Sequence, residues 1–242
     1  MTLFGGRIPN EDGDGYNVSP QPYNELLMIP GYGAQPVPAN DNFIADESGA
    51  SAGFAVGGYI GLARRAGDFM QTFTGGKYWP CDPRPEEVFI EDIAHSLSLQ
   101  CRYAGHCREF YSVAEHSVHI ARWLQRKYGP VMALHGLLHD ATEAYVVDVP
   151  RPLKPSLANY KEIEERNWQA IAARFGLAKQ LPAEVHDADN RIIADELVNM
   201  HPMAWHARHA DGLGVTIGCW SPKDAEYEFL TTFEALVARR AA

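Results

Sequence analysis

From residue 85 onward the chain reads as one capped helical segment after another, and no stretch alternates apolar and polar residues long enough to make a convincing strand. "PEEVFIEDIAHSLSLQCRY", residues 85–103, places Val88, Ile90, Ile93, Leu97 and Cys101 close to helical spacing. "SVAEHSVHIARWLQRKYG" opens on Ser112 with Glu115 three residues later, the pattern of a capping box, and Gly129 ends it. Pro130 suits the first turn of "PVMALHGLLHDATEAY", because a first-turn residue needs no free N–H. "ANYKEIEERNWQAIAARFG" stops at Gly176, and "LPAEVHDADNRIIADELVNMHP" lies between Pro182 and Pro202. "SPKDAEYEFLTTFEALVARR" closes the chain, with Ser221 as cap and Pro222 in the first turn. The expectation is an all-α domain of six or more helices over residues 71–242, with no internal repeat.

Residues 1–70 differ. They are rich in Gly, Pro, Asn and Asp, carry eight acidic against three basic residues, and keep no period. They are expected to form a poorly ordered or loosely docked N-terminal extension. Their start lacks the basic and then apolar run of a signal peptide. The weakly polar run 51–63 is too short for a bilayer span of roughly 20 residues. Its Gly53, Gly57 and Gly61 suit a flexible linker or close helix packing. With 46% hydrophobic residues the chain can bury a core, and its net charge of −10 repels a phosphate backbone. A polymeric nucleic acid is therefore not an expected partner, nor is a membrane. A small anionic substrate stays open, because a local basic pocket or a metal overrides the global sign. The cysteines Cys81, Cys101, Cys107 and Cys219 form no C-x-x-C pair and are expected as free thiols in a reducing, cytoplasmic setting.

The run "GLLHDATEAYVVDVP", residues 136–150, interrupts an apolar helix with His139, Asp140, Glu143 and Asp148. Unpaired buried carboxylates are costly, so a compensating partner is expected, and a metal ion is the obvious one. His116 and Asp189, on other expected helices, complete a set of two imidazoles and two carboxylates. That mixture suits Mn, Fe, Co, Ni or Zn. Adjacent helical residues point about 100° apart, so His139 and Asp140 can share an ion only at the edge of their helix face. His135 and His139 mimic a zinc-protease H-E-x-x-H, but Gly136 stands where the Glu must be. Singly, His116 and Asp189 also read as ordinary polar helix residues, as does Asp187.

"VAEHS", "LLHDATEAYVVDVPRPLK" and "DADNR" together resemble the HD-domain metal-dependent phosphohydrolases, in the branch of the bacterial 5′-deoxynucleotidases and phage dATP triphosphohydrolases. The likeness spans roughly residues 72–235. It implies an HD helical bundle in which His116, His139, Asp140 and Asp189 bind a divalent ion (Mn, Co, Fe, Ni, Zn or Mg). It implies acid/base roles for Glu143 and Asp148, an Arg102–Tyr103 pair against sugar and base, and a phosphate-facing Lys154. Tryptophan is common in the branch where this chain has Tyr103, and Gly105 leaves that side of the base unscreened. His106 and Arg108 are either solvated loop residues or further cations for phosphate.

The implied activity is hydrolysis of a 2′-deoxynucleoside 5′-phosphate. The cationic loop 102–108 tips the choice towards a dNTP triphosphohydrolase over a dNMP 5′-nucleotidase. A non-catalytic nucleotide-sensing module is the reading of another class, disfavoured because a sensor needs neither Glu143 nor Asp148. "HDATEA" lacks the glycine and lysine of the cyclic-dinucleotide phosphodiesterase run H-D-x-G-K. A homo-oligomer is expected.

Overall fold

Ser112 caps the longest stretch of the core. In a computed structural model describing residues 65–240, with strands β1 (Ile8–Pro9) and β2 (Tyr16–Asn17), its hydroxyl accepts the Glu115 N–H at 3.0 Å. Helix α2 (Val113–Tyr128) starts there and ends at Gly129, whose φ of 88° is open to glycine. The rest of the capping box is used differently. The buried Glu115 carboxylate turns away and accepts the N–H groups of Gly218, Cys219 and Trp220 at 2.6, 3.0 and 2.7 Å. Three donors outbid the single one at Ser112, and the segment before the last helix is thereby pinned onto α2.

Around α2 pack α1 (Ile90–Leu99), α3 (Pro130–Leu138), α6 (Ala183–Glu196) and α7 (Pro222–Arg240). α4 (Glu143–Val146) lies on α1, and α5 (Tyr160–Phe175) ends at Gly176 as expected. The shared core includes Ile93, Leu97, Val118, Leu124, Leu134, Leu137, Ile192 and Phe229, all at most 1% exposed. Fully burying such side chains contributes about 1.5–3 kcal/mol each, which is what orders an acidic chain into a bundle. Gly136 lets α3 approach α2, since a Cβ there would press into Leu124 and come within 3.0 Å of Ile120 Cγ2.

The domain is an all-α bundle, with local departures from the sequence reading. A short antiparallel pair, β3 (Met70–Gln71) and β4 (Lys77–Tyr78), precedes the bundle; strands so short leave no alternation to read. Segment 85–103 divides into a 3-10 turn at Pro85–Glu87, α1, and a second turn at Arg102–Gly105. The expected helix 130–145 breaks after Leu138. There i→i+3 bonds replace the α-helical ladder, from Ala141 N–H to Leu138 and from Glu143 N–H to Asp140.

By internal contacts the chain divides into Met1–Tyr59 and Ile60–Ala242, ahead of the composition shift near residue 70. Arg65 shows why residues before 70 belong with the helices: its guanidinium pairs with Asp82 at 2.7 Å and Glu87 at 2.5 Å. In the first unit β1 and β2 pair antiparallel, Ile8 opposite Asn17. The glycine-spaced run 51–63 and the rest of the expected extension up to residue 64 lie outside the described residues.

Candidate metal centre

The site lies at the break after Leu138. His139, which keeps α-helical dihedrals, and Asp140 follow directly on that break, and Asp140 Oδ2 comes within 3.2 Å of His139 Nε2. His116, one turn into α2, places its Nε2 3.5 Å from the same oxygen. Asp189 arrives from α6, its Oδ1 lying 3.3 Å from His116 Nε2 and 3.8 Å from His139 Nε2. His116, His139 and Asp140 form a group able to hold a metal ion, with ligand atoms within 4.8 Å of one another. Both imidazoles are buried, at 0% and 8% exposure, and both Nε2 atoms lack a hydrogen-bond partner. Ligands about 2.0–2.2 Å from a transition ion lie roughly 3.0–3.5 Å from one another, close to these separations. Orphaned buried nitrogens facing carboxylates at polyhedron-edge distances fit a divalent cation.

The electrostatics agree. Burial pushes His139 towards its neutral form, yet Asp140 and then Asp189 hold it protonated well above the usual imidazole range. Against burial, His139 and then His116 hold Asp140 down to about 2. The facing imidazoles of His116 and His139 hold Asp189 well below the carboxylate range, again against burial. Two buried carboxylates side by side favour positive charge at this point.

The other ring nitrogens are fixed. His139 Nδ1 bonds the Gly136 carbonyl at 2.8 Å, and His116 Nδ1 bonds Glu196 Oε1 at 2.7 Å. A bond at Nδ1 sets the tautomer that leaves Nε2 for an ion. Glu196 was not singled out from the sequence. It lies seven residues after Asp189, two turns along α6 and on the same face, which is the signal that points to it. Fully buried, it pairs with Arg102 Nε at 3.2 Å and accepts the Tyr103 hydroxyl. Against burial, Arg102 and His116 hold its carboxyl down to about 2.

Arg102 is thus drawn inward, its Nη1 3.5 Å from Asp140 Oδ2, while Tyr103 and Ala104 take left-handed φ values of 56° and 51°. Gly105, His106 and Arg108 lie exposed on the outer part of this loop, where the Arg108 N–H bonds the Asn199 carbonyl. Glu143 is 5% exposed, and its Oε2 has no partner. Burial, then the charges of Asp140 and Asp148, push its carboxyl well above the usual range. Asp148 is raised by burial as well, and its N–H bonds Gln100 Oε1 at 3.1 Å. Gln100 also donates to the Glu143 carbonyl at 2.9 Å, so one side chain ties both acidic residues together. Lys154 pairs with Glu164 at 2.8 Å and feels the charges of Glu143 and Asp140. Asp187 is exposed and pairs with Arg191. All four cysteines are free thiols. Among the described residues no helix is long and apolar enough to cross a membrane.

No family model matches the chain. Over 128 residues it is 39% identical to an uncharacterized Escherichia coli (strain K12) protein, YfdR, covering 53% of this chain and 70% of that one. Over 113 residues it is 38% identical to an uncharacterized Rhodobacter capsulatus protein, RCAP_rcc00048, covering 44% of this chain and 58% of the other. With more than two thirds of YfdR matched at that identity, the chain belongs to the YfdR family.

Proposed function

We propose that this chain is a metal-dependent phosphohydrolase of the HD-domain type, acting on 2′-deoxynucleoside 5′-phosphates and preferring triphosphates. The observation that carries the reading is the pair of partnerless Nε2 atoms of His116 and His139, facing Asp140 and Asp189, with the buried Glu143 carboxyl, raised above its usual range by burial, in the same segment. A divalent ion, which these four residues would hold, would supply Lewis-acid polarisation of a phosphoryl oxygen and a lowered pKa for water. The chain's own residues do the rest. Glu143, whose carboxyl burial raises above the usual range, gives a proton to a leaving oxygen in its protonated form and takes one from water in its ionised form. Asp148, held beside it through Gln100, is the second acid/base group. Arg102 and Lys154 offset phosphate charge, with His106 and Arg108 on the outer loop as further cations for a triphosphate. The Tyr103 hydroxyl is committed to Glu196, which fixes the ring as a wall for the sugar.

The test is a panel of dNMPs, dNDPs and dNTPs with Mn, Co, Mg and Zn, products resolved by chromatography, and Asp140→Ala as control. Release of triphosphate from a dNTP supports the reading, and release of phosphate from dNMPs alone moves it to a 5′-nucleotidase. A wall at the sugar leaves a ribose 2′-hydroxyl without its bond to water, at about 1–3 kcal/mol. That is roughly 5- to 150-fold in kcat/KM for dATP over ATP. Equal values would remove the deoxy preference, and binding without turnover by metal-loaded protein would leave a nucleotide sensor.

A further inference from the structure

Asp189 uses its two oxygens differently. Oδ1 faces the imidazoles of His116 and His139, at 3.3 and 3.8 Å. Oδ2 accepts a bond from Arg151 Nη2 at 2.6 Å, the short length of a charge-assisted contact. Arg151 Nη1 donates to Asn190 Oδ1 at 3.2 Å, so the guanidinium is held at two points. Asn190 is oriented for this, because its Nδ2 donates to the His186 carbonyl at 2.9 Å. The arginine stands between Pro150 and Pro152 in a turn closed by the Leu153 N–H on the Pro150 carbonyl at 2.8 Å. Prolines on both sides restrict the backbone that delivers the side chain. The fold does not need this pair: Arg151 is 59% exposed, and exposed ion pairs add little to stability.

We propose that Arg151 is a positioning residue that restricts Asp189 to one ligating oxygen and so keeps a coordination position open for substrate. A carboxylate can ligate an ion through one oxygen or both. With Oδ2 engaged by a guanidinium, chelation by both oxygens would require breaking the Arg151 bond. The inference rests on the metal-centre reading above and adds a residue outside the expected ligand and substrate sets.

The experiment uses full-length protein as wild type, Arg151→Ala and Arg151→Lys. Mn²⁺ is titrated while water-proton relaxation is followed, which reports the positions open to solvent on the bound ion, and kcat and KM are measured with dATP. In Arg151→Ala, Mn²⁺ binds as tightly or more tightly, the relaxation enhancement per bound ion falls, and kcat drops roughly 10- to 100-fold, the scale for residues behind metal ligands. Arg151→Lys, with one donor for Oδ2, recovers part of both. An enhancement equal to wild type in Arg151→Ala overturns the proposal, as does a tenfold or greater loss of Mn²⁺ affinity, which would mean that the arginine delivers the ligand. If wild-type protein binds no Mn²⁺, the metal-centre reading itself fails. If it binds Mn²⁺ but hydrolyses nothing, the relaxation measurement still decides the role of Arg151.

Discussion

Glu196→Gln is the perturbation that most directly probes how the centre is built. The carboxylate takes hydrogen bonds from His116 Nδ1 at 2.7 Å and from the Tyr103 hydroxyl, and it pairs by charge with Arg102 Nε at 3.2 Å. Glutamine keeps the shape but offers one acceptor oxygen, and its amide N–H groups point at a donor on the other side. One buried donor is left unsatisfied, and the buried Arg102 guanidinium keeps only Asp140, at 3.5 Å, as a charge partner. An unsatisfied buried group costs about 1–3 kcal/mol, and breaking a buried ion pair about 3–5 kcal/mol. Because Asp140 remains, a loss of about 3 kcal/mol is expected, near the lower bound for a broken pair. For a domain of this size that lowers the Tm by roughly 6–12 °C. Metal affinity falls about 10- to 100-fold as the His116 tautomer is released. Differential scanning calorimetry of metal-free protein reads the first effect, and isothermal titration with Mn²⁺ or Zn²⁺ reads the second. Tyr103→Phe removes one donor only and costs about 1.5–3 kcal/mol, the scale of a bond to a charged group. A Glu196→Gln protein with wild-type Tm and wild-type metal affinity would refute the argument that this carboxylate organises the site.

Glu143→Gln retains metal and nucleotide but loses roughly 100-fold or more in rate; turnover near wild type would make Glu143 structural and shift attention to Asp148. Gly136→Ala forces a methyl into Leu124 and Ile120 and costs about 1–3 kcal/mol, read as a lowered urea midpoint at unchanged m-value. Burial and the Cys101 thiol 3.4 Å away push Cys107 up to about 11, so its thiolate forms only as pH rises towards that value. Iodoacetamide at pH 8 should therefore modify exposed Cys81 well before Cys107, and peptide mass spectrometry would show the order.

The helices were legible because their information is local. Ser112, Gly129, Pro130, Gly176 and Ser221 act within one turn of where they stand, and the apolar period of 88–101 needs no partner to be read. The residues that cluster were legible too, because two carboxylates and two imidazoles in helix-forming sequence are conspicuous, and three of them, His116, His139 and Asp140, form a group able to hold a metal ion. What those residues touch was decided only in three dimensions. Glu115 reads as half of a capping box, yet it holds three N–H groups more than a hundred positions away. Residues 130–145 read as one helix, because nothing in "LLHDATEA" breaks α-helical geometry; the change to i→i+3 bonds after Leu138 appears only in the structure. Glu196 and Arg151 carry no motif, and their roles arise from contacts with residues 80 and 38 positions away. Propensity and capping are written in the chain by neighbours. Charge pairing inside a low-dielectric core is set by whichever donors and acceptors packing brings within about 3 Å, and sequence distance does not enter that condition.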